Sequence, residues 1–538
     1  MQSTGFAKKR IDIYDTTLRD GSQAEDVSFS MEDKLKIAKK LSILGIHYIE
    51  GGWPGANPKD SEFFKKAVDL NLGKSTLAAF GSTRKADIEA NADKNLNALV
   101  DAKTSVVTIV GKAWDFHVEK DLKTTLEENL AMIADSIAYL KSKGKKVFFD
   151  PEHFFDGFKH NPDYAKAILK KAYDSGVDVV ALCDTNGGCL PFDMQDILSS
   201  IATMLNQYSW GIHTHNDSEN AVANSLIAVS FGASQVQGTI NGIGERCGNA
   251  NLCSIIPNLM LKMNIPCIPV DKLRLLKEVS DYVFEIANFP PNKHLAFVGE
   301  SAFAHKGGLH ASAVSKDSIT YEHIDPSLVG NTQRILVSDL SGRSNIAIKA
   351  KQLGINIETK GNLIAKVTKT IKDLEHDGYH FEVADGSLEL LLRKAMNPSL
   401  PKFFNLIGFR VIDDKKKGDE HLYAEATVML EVDGSIEHTA AVGNGPVNAL
   451  DHALSKALKR FYPILEEVRL LDYKVRVLTP DRGTAAKVRV LIECGDGVNT
   501  WITVGVSENV IEASWKALIE SIELKLLRNM PLRKNVGI

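Results

Sequence analysis

At 538 residues the chain is too long for one ordinary hydrophobic core and has the length of a large domain with one or two smaller ones. Hydrophobic residues at 44% and charged residues at 25% exclude a disordered or fibrous chain and are the values of a water-soluble globular protein. The 64 basic residues against 68 acidic ones give a formal charge of −4, which excludes a global field that would gather nucleic acid or an anionic membrane. No run approaches the roughly 18 consecutive apolar residues of a membrane-spanning helix.

From Arg10 to about Gly242, short β-rich runs alternate with segments of helical period, the pattern of parallel strands joined by crossover helices. Eight strands are predicted: Ile11–Tyr14, Tyr48–Gly51, Thr76–Phe80, Ser105–Val110, Lys146–Phe149, Val177–Leu182, Gly211–Thr214 and Gln235–Thr239. Their spacing of roughly 25 to 35 residues is that of a βα unit, and eight units in about 240 residues predict an α/β fold closed into a (β/α)8 TIM barrel. The rival, an open doubly wound sheet, would place GxGxxG after its first strand, where this sequence has no such turn. Helix punctuation agrees. Ser30 with Asp33 has the spacing of a capping box, Met31, Leu35, Ala38 and Leu41 share a face, and Gly45 stands at the left-handed C-cap position. Likewise Asn161 caps, Pro162 opens the first turn, Ala165, Ile168, Leu169 and Ala172 form the buried stripe, and Gly176 ends it.

Six cysteines (Cys183, Cys189, Cys247, Cys253, Cys267, Cys494) form no CxxC pair, which in a long chain reads as reduced thiols; with MQSTGFAKKR lacking a signal-peptide core, this indicates a cytoplasmic protein. Beyond the barrel, assigned to residues 1–280, a mostly helical connecting or lid subdomain is expected at 281–397, containing FAHKGGLHASAV (Phe303–Val314). After Pro398, strands at Asn405–Val411, His421–Val432 and Glu437–Val442 precede a helix over about Pro446–Phe461. The order recurs at Val468–Leu478, Ala485–Cys494, Thr500–Val506 and a helix over about Asn509–Leu527, so that AAVGNGPVNAL is echoed by WITVGVSENVI about 62 residues later. Residues 398–538 are thus expected to be an α+β module of two βββα repeats, suited to sensing or assembly because it carries no obvious catalytic residues. The Asp413–Glu420 run reads as a solvated loop.

Reactive groups in such a barrel sit at the C-terminal ends of the strands. That rule selects Asp15, Arg19 and Asp20 after strand one, Glu50 after strand two, Asp150, Glu152 and His153 after strand five, Asp184, Thr185 and Asn186 after strand six, and His213, His215, Asn216 and Asp217 at strand seven. His213 and His215, two apart on a strand, point the same way and can bind one divalent ion; Asp20 supplies a third ligand and Asn249 an amide oxygen. This N/O set suits Mn²⁺, Mg²⁺ or Zn²⁺ and leaves an open coordination position. The bland readings are that an isolated HxH is a packed or capping pair, Asp20 a helix cap, Thr185 a turn residue, Glu50 a partner for a lysine, and His305 and His310 surface histidines. Placement of HxH opposite the carboxylates of strands one and five favours the metal. The Gly-rich segment Gly238–Gly248 hints at a phosphate cradle but lacks a GK[ST] ending.

DTTLRDGSQ (Asp15–Gln23), HTHND at strand seven and the duplicated C-terminal module resemble the metal-dependent Claisen-condensing synthases, which form isopropylmalate, homocitrate or citramalate, in a superfamily that also holds acyl-CoA lyases. Within that family EGGWPGANPKD (Glu50–Asp60) and DPEHFFDGFKHNPDYA (Asp150–Ala165) resemble the citramalate-forming branch, whereas isopropylmalate synthases read closer to EVGFPAASPGD, from which Gly52 and Trp53 depart. The resemblance implies an acyltransferase condensing acetyl-CoA with pyruvate to (R)-citramalate and CoA in isoleucine biosynthesis, feedback control by isoleucine at the C-terminal module, and a homodimer. It further implies that Gln23 and Thr185 bind the keto acid, Arg19 stabilises the developing alkoxide, and Glu152, His310 and Tyr321 serve the proton transfer from the thioester methyl group. Two rivals stand beside it: a lyase running the carbon–carbon step backward, which has no need of the duplicated module, and an amino-acid sensor, which would leave the rim residues idle.

Overall fold

Strands buried on both faces read as near-continuous apolar runs, and the eight such runs close into one parallel barrel in the computed structural model, which describes residues 10–355, 361–415 and 423–529. The strands are β1 (Asp12–Asp15), β2 (Tyr48–Gly52), β3 (Thr76–Ser82), β4 (Val106–Lys112), β5 (Lys146–Glu152), β6 (Val179–Asp184), β7 (Trp210–Thr214) and β8 (Gln235–Gly238), with β8 returning to pair with β1. The closed parallel barrel expected from the alternation is the fold. β5 runs three residues beyond its predicted end, because its ladder with β4 continues through Gly111 opposite Pro151 and Lys112 opposite Glu152. Asp150 and Glu152 are therefore held on a strand rather than in a loop.

Helix α1 (Met31–Leu44) begins with the expected capping box, Ser30 Oγ accepting from Asp33 N–H and Asp33 Oδ2 from Ser30 N–H, and ends at Gly45 with φ +96°. The helix Pro162–Asp174 is capped by Asn161, buries Ala165, Ile168, Leu169 and Ala172, and is followed by Gly176 at φ +84°. One buried position of α1 escaped the apolar pattern: Lys34 donates to Asp60 and to the Gly51 carbonyl, tying the end of β2 to the following helix. Inside the barrel Tyr14, Ala78, Val106, Phe148 and Val179 make an apolar plug, from which the Tyr14 hydroxyl reaches into the polar layer at the C-terminal mouth.

The chain divides into two compact units. The first holds the barrel, the residues up to Phe303 and Ile324–Gln333; the second holds Ala304–His323 and everything described from Arg334 onward. In the second unit, α2 (Arg343–Gln352), α3 (Gly361–His376) and α4 (Asp385–Met396) share a small core that includes Ile346, Val367, Ile371, Leu388 and Leu392. Then come β9 (Asn405–Asp414), β10 (Tyr423–Val432), β11 (Ser435–Gly443) and α5 (Pro446–Lys459), followed by β12 (Arg469–Val477), β13 (Val488–Gly495), β14 (Thr500–Ser507) and α6 (Val510–Arg528). Each trio is an antiparallel sheet backed by its helix, and one core holds Val428, Leu454, Ile492, Trp501 and Leu518 from both repeats. The two βββα copies are as anticipated, although the predicted strand start at His421 and most of the Asp413–Glu420 loop lie outside the described residues. Among the described residues no helix is long and apolar enough to cross a membrane.

Candidate active site

Alternation along β7 turns His213 and His215 to the same side, where both are buried with their Nε2 atoms 3.2 Å apart. Asp20, in the turn leaving β1, is buried against them, its Oδ2 lying 3.2 Å from His213 Nε2 and 3.9 Å from His215 Nε2. One donor atom from each of the three falls within 4.8 Å of the others, and among the described residues no other three His, Cys, Asp or Glu side chains converge in this way. Burial would raise the Asp20 carboxyl, but Arg19 and His213 outweigh it and hold the group far below the carboxylate range. Burial likewise opposes charge on His213, yet its hydrogen bond with Asp20 raises it above the usual imidazole range, while burial and then the charge on His213 push His215 down to about 4.

Asn249 arrives from the loop after β8, bridged to His215 through its backbone. Its Nδ2 donates to Asp20 Oδ2 at 2.7 Å and lies 3.5 Å from His213 Nε2. The oxygen anticipated as a ligand atom points away instead, because the ionised Asp20 carboxylate only accepts, and Oδ1 is left buried without a hydrogen bond. A half-turn of the amide exchanges the two atoms. One carboxylate, two imidazoles and an amide oxygen that lacks a partner together fit a divalent ion of the Mn²⁺, Mg²⁺ or Zn²⁺ kind. Two glycines of the Gly238–Gly248 segment permit this close packing: a Cβ on Gly244 would overlap Asn249 Oδ1, and one on Gly248 the Gly242 carbonyl.

Beside this cluster Arg19 is fixed on three sides. Its Nε donates to Glu50 Oε1 at 2.6 Å, its Nη1 lies 3.3 Å from Asp20 Oδ1, and its guanidinium carbon sits 3.9 Å over the Phe80 ring. Glu50 is fully buried and pairs with this arginine rather than with a lysine; its second oxygen accepts from the Tyr14 hydroxyl at 2.6 Å, itself 2.6 Å from Thr108 Oγ1. Trp53 packs edge-on against Phe80 and donates from Nε1 to Asn95 Oδ1 at 2.7 Å. On β5, Glu152 lies with Oε2 2.6 Å from Lys112 Nζ. Thr185 Oγ1 accepts from the His153 N–H at 2.8 Å, which leaves its O–H as a donor, and the Thr185 carbonyl accepts from Arg246. Gln23 is exposed at the end of a short 3-10 turn.

The structure thus brings Asp20, His213, His215, Asn249 and Arg19 together. His310 and Tyr321 belong to the second unit, where their rings stack at 4.2 Å and Tyr321 is exposed. Two contributors escaped the sequence reading: Tyr14, which supports Glu50, and Gln237 on β8, whose Oε1 accepts from His213 Nδ1 at 2.9 Å. The available signal was QVQ in β8, two amides two apart on a buried strand and therefore on one face.

Residues 10–280 match the family described as HMGL-like, residues 297–378 the homocitrate synthase post-HMGL domain-like family, and residues 382–526 the LeuA allosteric (dimerisation) domain. An (R)-citramalate synthase of Geobacter sulfurreducens is 57% identical over 516 residues, covering 96% of this chain and 97% of that one. The chain belongs to the (R)-citramalate synthase family. A second member, from Aquifex aeolicus, is 56% identical over 521 residues, covering 97% and 98% of the two chains. A 2-isopropylmalate synthase of Methanocaldococcus jannaschii is more distant at 33% over 528 residues, covering 95% and 94%. The family resemblance drawn from DTTLRDGSQ, HTHND and the repeated module is borne out across the chain, and the protein is an enzyme of the acyltransferase type.

Proposed function

We propose that this chain condenses acetyl-CoA with pyruvate to give (R)-citramalate and free CoA. The observation that carries the reading is the buried convergence of Asp20, His213 and His215 at the mouth of a closed barrel, with the Arg19 guanidinium beside it, in a chain 57% identical to an (R)-citramalate synthase. A divalent ion held by Asp20, His213, His215 and the Asn249 amide would polarise the keto carbonyl as a Lewis acid. The Thr185 hydroxyl and Gln23 bind the keto acid's carboxylate. Arg19, kept in place by Glu50 and Phe80, donates to the oxygen on which negative charge develops, and its guanidinium stays ionised throughout. Glu152 takes a proton from the thioester methyl carbon, a role the family resemblance shares with His310 and Tyr321. The freed electron pair forms the new bond to the keto carbon, whose carbonyl π pair moves onto oxygen and is protonated. Water then adds to the thioester carbonyl, the C–S bond breaks, and CoA leaves as its thiol while citramalate leaves as the carboxylate.

The same reading makes residues 398–538 the seat of isoleucine inhibition and the protein a homodimer, supported by the match of residues 382–526 to an allosteric, dimerisation domain, and it assigns the enzyme to the cytoplasm. Thiol release from acetyl-CoA, measured across pyruvate, 2-ketoisovalerate and 2-oxoglutarate with and without chelator, tests the assignment. Pyruvate is expected to be preferred and the chelator to abolish release. Preference for 2-ketoisovalerate or 2-oxoglutarate would reassign the enzyme to the isopropylmalate or homocitrate branch, and no release with any of them would favour a lyase or an amino-acid sensor.

A further inference from the structure

We infer that Gln237 is a positioning residue that fixes the ring of His213 for metal binding, and that Asp150 in turn fixes Gln237. The amide of Gln237 is fully buried between three partners. Its Oε1 faces His213 Nδ1 at 2.9 Å, and its Nε2 faces Asp150 Oδ1 at 3.1 Å and Gln235 Oε1 at 3.3 Å. The Asp150 carboxylate is an acceptor, so an amide N–H of Gln237 points at it and the carbonyl oxygen points at His213. An acceptor at Nδ1 demands a hydrogen there. Once an ion displaces the proton that Nε2 shares with Asp20, the Nε2 lone pair is thereby directed toward Asp20 and His215, the side chains that would hold the ion with it. A ligating imidazole whose other nitrogen is held by an acceptor is oriented and made more basic, and loss of such a partner typically weakens metal binding about 10–100-fold.

The distances also show why an amide stands here. Asp150 is 3% exposed, and a carboxylate at position 237 would face it across the same short gap, whereas Gln237 accepts toward His213 and donates toward Asp150 with one side chain. Burial raises the Asp150 carboxyl to about 7, and the hydrogen bond from Gln237 works against that rise. Asp150 is thus given a part that the condensation chemistry leaves open, acting on the metal ligand through two hydrogen bonds.

The inference rests on the metal reading of the Asp20, His213 and His215 cluster, and the test separates the two. Mn²⁺ affinity is measured on the full chain, without substrates, by competition with a fluorescent chelator, for the parent, His213→Ala, the near-isosteric Gln237→Met, and Gln237→Glu combined with Asp150→Asn, which keeps an acceptor at Nδ1 and gives it an amide instead of a carboxylate to face. The expected result is tight binding by the parent, loss in His213→Ala, about 10–100-fold weakening in Gln237→Met with an unchanged circular dichroism spectrum, and substantial recovery in the Gln237→Glu, Asp150→Asn double variant. Should Gln237→Met fail to fold, Asp150→Asn, which blurs the orientation of the amide without removing it, is expected to weaken Mn²⁺ several-fold. Parent-like affinity in the folded Gln237→Met, or equal losses in Gln237→Met and the double variant, would overturn the positioning role while leaving the metal site intact. A parent that binds no Mn²⁺ would overturn the site itself.

Discussion

Arg19 shows how a single cation is aimed. A guanidinium free to swing would spend its charge on water, but here Glu50 takes its Nε–H, Asp20 lies beside Nη1 and Phe80 supports its face. A lysine retains the charge and none of the fork. Arg19→Ala is expected to lower kcat about 10²–10³-fold, the usual cost of removing one well-aimed donor to a developing oxyanion. Glu50→Gln, which keeps the shape and loosens the aim, should lower kcat by a smaller factor with little change in KM for the keto acid; steady-state kinetics with pyruvate check both, and an unchanged kcat in Arg19→Ala would remove it from the chemistry. The convergence of Asp20, His213 and His215 was legible in the sequence for a reason peculiar to strands: an HxH spacing has one geometric meaning there, and the rim rule pairs it with the first strand. Gln237 and Tyr14 were not legible, since an amide and a phenol inside buried strands look like packing until their partners, Asp150 and Glu50, are seen opposite them.

Among the elements, the barrel strands and capped helices were readable because each repeats a period and ends on a defined residue type. Contacts made by side chains across elements were not. The seam between α4 and β14 is of this second kind. β14 is an edge strand, and two of its outward N–H groups are satisfied by α4: Ile502 N–H by Asp385 Oδ1 at 3.1 Å and Val504 N–H by Ser387 Oγ at 2.9 Å. The Ser387 hydroxyl then donates to Glu520 on α6. Burial raises the Glu520 carboxyl to about 7 from an ordinary value of 4.5, against the smaller pull of Ser387 and Lys394. Between those values the folded chain holds a proton that the unfolded chain has lost, so the stability it contributes is present below pH 4.5 and disappears as pH rises through 7. The second unit of the parent is therefore expected to lose stability on going from pH 5 to pH 8, and Glu520→Gln to lose less over the same interval. Thermal melts across that range read the difference, and identical slopes in the two proteins would contradict the protonated seam.

At the scale of the whole molecule, the duplicated module shows a symmetry that the rest of the chain breaks. In both repeats the inner face of the sheet packs on its own helix, and the outer faces would be equivalent if nothing else touched them. They are not equivalent. In the second repeat the outward Val504 and Val506 of β14 are covered by Ala384, Tyr379 and Leu478. In the first repeat the register places Tyr423 and Val442 at one end and Ile436 at the other on the same outward face, and these are 54%, 60% and 67% exposed. Apolar side chains of that size, left open on one repeat and closed on its twin, mark a face that gains by covering, and the match of this region to a dimerisation domain makes a second copy of this chain the occupant to test. Carboxylates placed there would have to be desolvated on association. Ile436→Asp combined with Val442→Asp is therefore expected to shift the protein from dimer to monomer at low micromolar concentration in sedimentation velocity, with the circular dichroism of the module unchanged because both side chains point away from its core. A double variant that still sediments as a dimer would place the interface elsewhere and leave the open face of the first repeat without a partner.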